Sequence, residues 1–487
     1  MSPNMLTDPQ YIYLSPMDNV MPRFYARLIF AFRCSPNQDH QKVRGLLEQG
    51  LRRTSADIPS IAGKVFTRPA TPDRVGHLEI RVHPSYCPTV YVRDLSELDY
   101  DELLEEGLPQ DMLDPNILFP VIGPLDSEQG APIFLAQANF VTGGLLLAVG
   151  MYHSVIDGTS GGWLAKKWAE HTRHLQGATE DRASLNIMPR STDPGVLEDL
   201  WLAQGYSPLT VEELKTGSKD SNDPTLWRLL GLDPLNTPPS PQLMAEPEGR
   251  EDWPMQSTIF YLSPQALEDL KKASTEEPFG RVSTNDALMA LLWRSITRAR
   301  LPNDTSSSMD TDEAILDSTY DGRAGFSPDL PFTYMGSLIF ISTARMQRSQ
   351  LVSPTTSLAS IAHEIRQAAK SIDSSRMHAA FGLAASIPDY TKLTFPFATF
   401  AGAEVCITSW IAWSLFDLDF GPIFANGGRP EFVRPPRREF DAVCRRCVVL
   451  PLQSHGGCEV LISLVADEMQ RLERDPELAC FACVACH

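Results

Sequence analysis

Two apolar runs, Ile133 to Phe140 and Leu145 to Tyr152, are joined by a short segment containing Gly143-Gly144. Each run has the length of one strand and the glycines supply the reversal, so the pair reads as a β-hairpin. The second run leads into His153-Ser154-Val155-Ile156-Asp157-Gly158, and Ser160-Gly161-Gly162 continues into a helix through about His174. A fold containing this hairpin presents a histidine and a carboxylate in a turn at a strand end.

Around it, Phe24 to Phe32 reads as a strand. Gln41 to Thr54 reads as a helix with Val43, Leu46, Leu47 and Leu51 on one face, ended by Ile58-Pro59-Ser60. Further strands are predicted at Leu78 to Val82 and Thr89 to Val92. From Thr216 to Asp252 the chain is crowded with Pro, Ser, Asn, Asp and Glu, including Thr237-Pro238-Pro239-Ser240-Pro241, which predicts a long crossover linker. Beyond it come a strand from Ser257 to Leu262, a helix from Pro264 to Ala273 capped by Ser263, and a helix from Asn285 to Arg298 capped by Ser283 or Thr284. A helix near Leu358 to Ile372, an aromatic strand region from Ile407 to Phe420, and strands near Ala442 to Pro451 and Glu459 to Val465 complete the pattern. Strands and helices interleave without a strict βαβ rhythm, which favours mixed α/β layers over a doubly wound sheet. The expected division is 1–215, a linker at 216–252, and 253–487.

With 487 residues, 43% of them apolar, the chain can fill a large core. Forty-two Lys and Arg against 61 Asp and Glu give a net charge of −19, which excludes coating nucleic acid or an anionic membrane. No basic and apolar leader opens the sequence, and no apolar stretch approaches a membrane span. With nine cysteines, an odd number, the expectation is a cytoplasmic protein with free thiols.

His153 is the side chain best able to accept a proton near neutral pH. Asp157, four residues on, has two readings: it orients the imidazole, or it points away and pins the turn. Gly158 permits a positive φ where the chain must reverse.

Further elements accompany this motif in order. They are Leu14-Ser15-Pro16-Met17-Asp18, Ile58-Pro59-Ser60-Ile61-Ala62-Gly63-Lys64, Ser283-Thr284-Asn285-Asp286-Ala287-Leu288, Asp321-Gly322-Arg323, Tyr334-Met335-Gly336, Thr408-Ser409-Trp410, and Phe416-Asp417-Leu418-Asp419-Phe420-Gly421. Together they resemble the BAHD (HXXXD-type) acyltransferases, most closely their fungal branch, from about residue 12 to 475. The resemblance implies two chloramphenicol-acetyltransferase-like domains of mixed sheet and flanking helices, with an active-site channel between them. It implies an acyl-CoA co-substrate, acetyl-CoA being favoured, a small-molecule alcohol acceptor among fungal specialised metabolites, no permanently bound cofactor, and a monomer. It makes His153 the general base, pairs Asp157 with Arg323, and gives Asp419, Phe420 and Gly421 an architectural role. Two departures stand out: Pro422-Ile423 follows Gly421 where the family has Trp-Gly, and Ser337 follows Gly336 where it often has Asn.

The phosphates of coenzyme A need local cations in so acidic a chain. Lys271, Arg281 and the helix start at Ser283-Thr284 are the expected contacts, with Ser409 and Trp410 beside them. The other reading of that stretch is a solvated helix end with an ordinary cap. Arg294, Arg298 and Arg300 are expected on the surface. The oxyanion donor is left open among Ser337, Thr333, Thr408 and the Trp410 indole. Cys444-x-x-Cys447 and Cys480-x-x-Cys483 are too far apart for a usual zinc ribbon, so no metal is expected. Trp410, Phe416 and Phe420 share parity and are expected on one face of a strand. A free-standing condensation domain would normally carry a second histidine where Tyr152 stands. A catalytically silent binding homologue is the remaining alternative.

Overall fold

The computed structural model describes residues 9–35, 37–71, 74–83, 86, 88–120, 129–177, 184–207, 210, 223–234, 255–300, 313–395, 404–436 and 445–487. Most of the expected linker, and Cys444, lie outside these residues. Within the linker, Pro224–Leu229 is a helix that buries Trp227.

The first half contains β1 (Gln10–Tyr13), β2 (Tyr25–Arg33), β3 (Gly63–Thr67), β4 (Leu78–Val82), β5 (Val90–Asp99), β6 (Ala131–Pro132), β7 (Phe134–Thr142) and β8 (Gly144–Tyr152). Its main helices are α1 (His40–Asp57) and α2 (Gly158–His174). The predicted hairpin is present: β7 and β8 pair antiparallel from Phe134↔Met151 to Val141↔Gly144, and Gly143 turns at φ +80. All of β8 is buried, which explains why its sequence is continuously apolar rather than alternating. α1 and α2 pack over this sheet, and the Trp168 indole donates to the Leu47 carbonyl at 2.9 Å.

The second half contains β9 (Met255–Leu262), β10 (Glu313–Asp321), β11 (Ile339–Gln347), β12 (Glu404–Ser409), β13 (Phe432–Arg434), β14 (Arg446–Val449), β15 (Cys458–Val465) and β16 (Cys483–Cys486). Helices α3 (Pro264–Ala273), α4 (Thr284–Arg300), α5 (Leu358–Lys370) and α6 (Ser374–Ala385) accompany them. Seven strands form one mixed sheet in the order β11-β10-β12-β14-β15-β9-β16, with β12 parallel to both neighbours. Ser263 caps α3 as expected, accepting from the Ala266 amide.

β13 does not join that sheet. It pairs with β2 at the edge of the first half's sheet, whose order is β13-β2-β8-β7-β5. The preceding segment crosses with it: Phe416, Leu418, Phe420 and Phe424 lie in the same core as Phe32 and Trp168. The chain of the second half therefore completes the core of the first.

Two expectations need correction. The aromatic stretch after Ile407 is not a strand to Phe420; β12 stops at Ser409, and just past its last ladder bond, from Trp410 N to Val449 O, Trp413 N donates to Trp410 O and turns the chain away. Trp410 and Trp413 then stack at 5.3 Å, a turn geometry rather than alternation along a strand. Arg294, Arg298 and Arg300 are not simple surface charges. Arg294 is buried and donates to Glu477 at 2.9 Å, Arg298 pairs with Asp475 and Glu477, and burial lowers Arg300 to about 10 as it donates to the Glu404 carbonyl. Among the described residues no helix is long and apolar enough to cross a membrane, and no cluster of His, Cys, Asp and Glu could hold a metal ion.

Candidate active site

Asp157 is the N-cap of α2: its Oδ1 accepts from the Ser160 amide and hydroxyl, both at 2.9 Å. The helix start satisfies only part of this carboxylate. Arg323 donates from Nη2 to Oδ1 at 2.9 Å and places Nη1 2.9 Å from Oδ2, while the Leu338 amide donates to Oδ2 at 3.0 Å. Of the two readings of Asp157, the second holds. Both oxygens are committed to the turn and to the second half, not to orienting the imidazole.

Arg323 is correspondingly saturated. It also donates to Tyr334 O at 3.0 Å, Gly336 O at 2.8 Å and Asp321 Oδ1 at 3.0 Å. Burial pushes the Asp157 carboxyl up, but the Arg323 charge and hydrogen bonds, with the Ser160 and Leu338 amides, hold it below the usual carboxylate range. Both groups are buried, a geometry that is stable only because nearly every polar atom has a partner.

Gly158 does not use the positive φ that glycine permits. Its need is for space: a Cβ there would lie 1.9 Å from Trp413 Cη2. The indole thus rests on the first turn of α2.

His153 is half-buried. Its amide donates to Phe24 O at 2.8 Å, its carbonyl accepts from Ser337 Oγ at 3.4 Å, and its ring meets the Phe24 ring edge-on at 5.1 Å. The imidazole lines a cavity of about 260 Å³ whose walls come from both halves. Phe24, Leu28 and Met151 come from the first half, Ile339, Thr408 and Trp410 from the second, and Leu230 and Gly231 from the connecting region. The lining is mostly apolar, with Arg27, Arg445 and Arg446 among the exceptions; Arg445 is engaged by Glu468 at 2.6 and 2.7 Å.

The remaining predicted residues separate into groups. Ser283 caps α4, accepting from the Asp286 amide while Asp286 accepts from the Ser283 amide, so the cap is Ser283 and Thr284 begins the helix. Ser409 Oγ donates to Asn285 Oδ1 at 2.7 Å, which ties this helix start to the strand end beside Trp410. Lys271 and Arg281 are exposed, and neither lines the cavity. Asp419 Oδ1 accepts from the Gly421 amide at 2.9 Å, Phe420 is buried, and Gly421 adopts φ +90. Among the candidate oxyanion donors, Thr408 and Trp410 line the cavity. Ser337 is engaged with Asp18 and His153, and Thr333 with Ser191 and Asn186.

Sequence reasoning missed three contributors. Gln176 clamps the segment around Pro422-Ile423, donating to Phe420 O at 2.7 Å and accepting from Ile423 N at 2.8 Å. The Leu338 amide completes Asp157. Asp18 is buried, accepting from Ser15 N at 2.8 Å, Ser15 Oγ at 2.7 Å and Ser337 N at 2.8 Å. Burial pushes its carboxyl up to about 7 against those hydrogen bonds, and Asp157 nearby acts in the same direction as burial. The Ser15-x-x-Asp18 spacing is that of a capping box and was the available signal.

The chain is 28% identical over 488 residues to the eremophilane O-acetyltransferase of Penicillium roqueforti, covering 97% of this chain and 98% of that one. It is 26% identical to the trichothecene 3-O-acetyltransferase of Fusarium sporotrichioides, over 94% and 93% of the two chains. The crystal structure of the F. sporotrichioides protein with coenzyme A and T-2 has the same fold, with a TM-score of 0.72 at 23% identity, covering 98% of this chain and all of that one. The Transferase family profile matches residues 2–479, so the chain belongs to that family, the BAHD acyltransferases.

Proposed function

We propose that this coenzyme A-dependent O-acyltransferase moves an acetyl group from acetyl-CoA to a hydroxyl of an apolar fungal specialised metabolite, with His153 as general base. The observation that carries this reading is the position of the His153 imidazole on a cavity walled by both halves of the chain. The acetyl donor and the class of acceptor draw on the names of the relatives, which act on eremophilanes and trichothecenes. The apolar lining suits such a guest.

In this mechanism neutral His153 takes the proton of the acceptor hydroxyl as its oxygen attacks the thioester carbonyl. The new C–O bond forms a tetrahedral intermediate, whose oxyanion needs donors in a dry site; Thr408 Oγ1 and the Trp410 indole are the candidates on the wall. The C–S bond then breaks, and the imidazolium returns its proton to the thiolate, giving the ester and free coenzyme A. No acyl-enzyme forms, so no serine or cysteine nucleophile is required. General-base assistance of this kind contributes about 10²- to 10⁴-fold.

The test is a mass-spectrometric assay with acetyl-CoA and longer acyl-CoA donors against a panel of eremophilane and trichothecene alcohols. Acetyl transfer by the wild type and a kcat loss of about 10²-fold or more in His153→Ala, with an unchanged melting temperature, is the expected result. A His153→Ala enzyme with wild-type kcat rejects the base assignment.

A further inference from the structure

Asp18 is a buried acid with no part in the reaction written above, yet its contacts mirror those of Asp157. Asp157 Oδ2 accepts from the Leu338 amide at 3.0 Å, and Asp18 Oδ1 accepts from the preceding amide, Ser337, at 2.8 Å. Two carboxylates from the first half thus hold consecutive amides of one loop in the second. Burying an acid is unfavourable, and more so beside another carboxylate. Both oxygens are in use, Oδ1 on the Ser337 amide and Oδ2 on Ser15, so the carboxylate ties the turn at Ser15 to the loop at Ser337.

Two routes lead from Asp18 to the imidazole. The first runs through Ser337, whose hydroxyl donates weakly to the His153 carbonyl at 3.4 Å. The second runs along the chain. By accepting from Ser15 N and Oγ, Asp18 closes the turn Pro16–Asn19. The residues that leave this turn include Val20, Met21, Pro22 and Phe24, all on the cavity wall. The Met21 and Pro22 carbonyls each accept from Ser154 Oγ at 3.2 Å. The Phe24 carbonyl accepts from the His153 amide at 2.8 Å, and the Phe24 ring contacts the imidazole at 5.1 Å. His153 is therefore held at its amide, its carbonyl and its ring by Phe24 and Ser337, the first in the segment that leaves the Asp18 turn and the second bonded to Asp18 through its amide.

We infer that Asp18 is a positioning residue for His153, fixing the loop at Ser337 and the segment 20–24 so that the imidazole faces the channel at a constant angle. The inference rests on His153 acting as the base. A small displacement of a base lowers the rate of the chemical step much more than it weakens binding of either substrate.

The experiment compares Asp18→Asn, Asp18→Ala and Ser337→Ala with the wild type, using acetyl-CoA and the eremophilane alcohol turned over fastest in the panel above. Asparagine keeps the shape and one acceptor oxygen for the Ser337 amide. Asp18→Asn is expected to lower kcat about 10-fold and Asp18→Ala about 100-fold per folded molecule, with both KM values within about threefold. A partial rescue of this kind in kcat is not expected from a role in stability alone. Unchanged kcat per folded molecule in Asp18→Asn, whatever happens to the melting temperature, overturns the inference. Should neither Asp18 variant fold, Ser337→Ala, which loses one hydroxyl and keeps its amide on Asp18, decides: a kcat loss of about threefold or more at constant KM supports the inference, and wild-type kcat overturns it. His153→Ala in the same assay separates the two readings, since its retention of activity removes the base itself, whereas a dead His153→Ala with a fully active Asp18→Asn removes only the positioning.

Discussion

Arg323 and Asp157 stand 166 residues apart in sequence and face each other through two contacts of 2.9 Å, in the buried seam between the two halves of the chain. The pair does two things at once. It caps the helix that begins beside the cavity, and it locks that helix onto the loop from Tyr334 to Leu338. The position of His153, four residues before Asp157, follows from a contact that only the folded two-half structure can make.

Asp157→Asn is expected to destabilise the protein by about 3–5 kcal/mol, because it leaves the buried Arg323 charge under-compensated. The pH dependence has a definite sign. The native Asp157 carboxyl is held below its unfolded value, so the native state binds fewer protons near pH 4 and stability rises with pH there. The contribution is complete above the unfolded value near 4 and is lost as pH falls through the native value. Melting temperatures of wild type and Asp157→Asn should converge as pH falls from 5 to below 4, a range in which Asp18, pushed up to about 7, stays protonated. A gap that widens between pH 5 and 3 contradicts the pairing.

Much of the fold was legible because it rests on local signals. The apolar runs of β7 and β8, the Ser263 cap of α3 and the glycine turn at Gly143 each needed only neighbouring residues. The Asp157–Arg323 pair was legible through family resemblance alone, since no spacing joins residues so distant. The crossing of Phe416 to Val433 into the first core was not legible. Its aromatics suit a strand as well as a returning loop, and the structure takes the loop through the turn that Trp413 N closes on Trp410 O. Asp18 stood in the sequence only as part of the motif Leu14 to Asp18; its contact with Ser337 lies 319 residues away. Arg294 and Arg298 looked like the charged end of a helix because Asp475 and Glu477, which bury them, come from the far end of the chain.

Phe420→Ala tests the crossing segment. Phe420 is fully buried and packs edge-on against Phe32 and Trp168, each at 5.4 Å. Removing the ring should lower unfolding free energy by about 3–5 kcal/mol in urea titration. Acetyl transfer per folded molecule should change little, because the ring lies in the core rather than on the cavity wall. A loss below about 1 kcal/mol would mean that the segment is not anchored in the first core.

Gly158→Ala sets a local effect against a tertiary one. In an isolated helix the change is favourable by about 0.5–1 kcal/mol, since alanine forfeits less backbone entropy. Here the added Cβ would fall 1.9 Å from Trp413 Cη2, so the indole must move. Trp413 is stacked on Trp410, and both line the cavity that holds His153. The tertiary effect should therefore win: a lower melting temperature, a shifted tryptophan emission, and a raised KM for at least one substrate. A stabilised variant with unchanged kinetics would show that the Trp413 indole is free to leave the first turn of α2 without consequence for the channel.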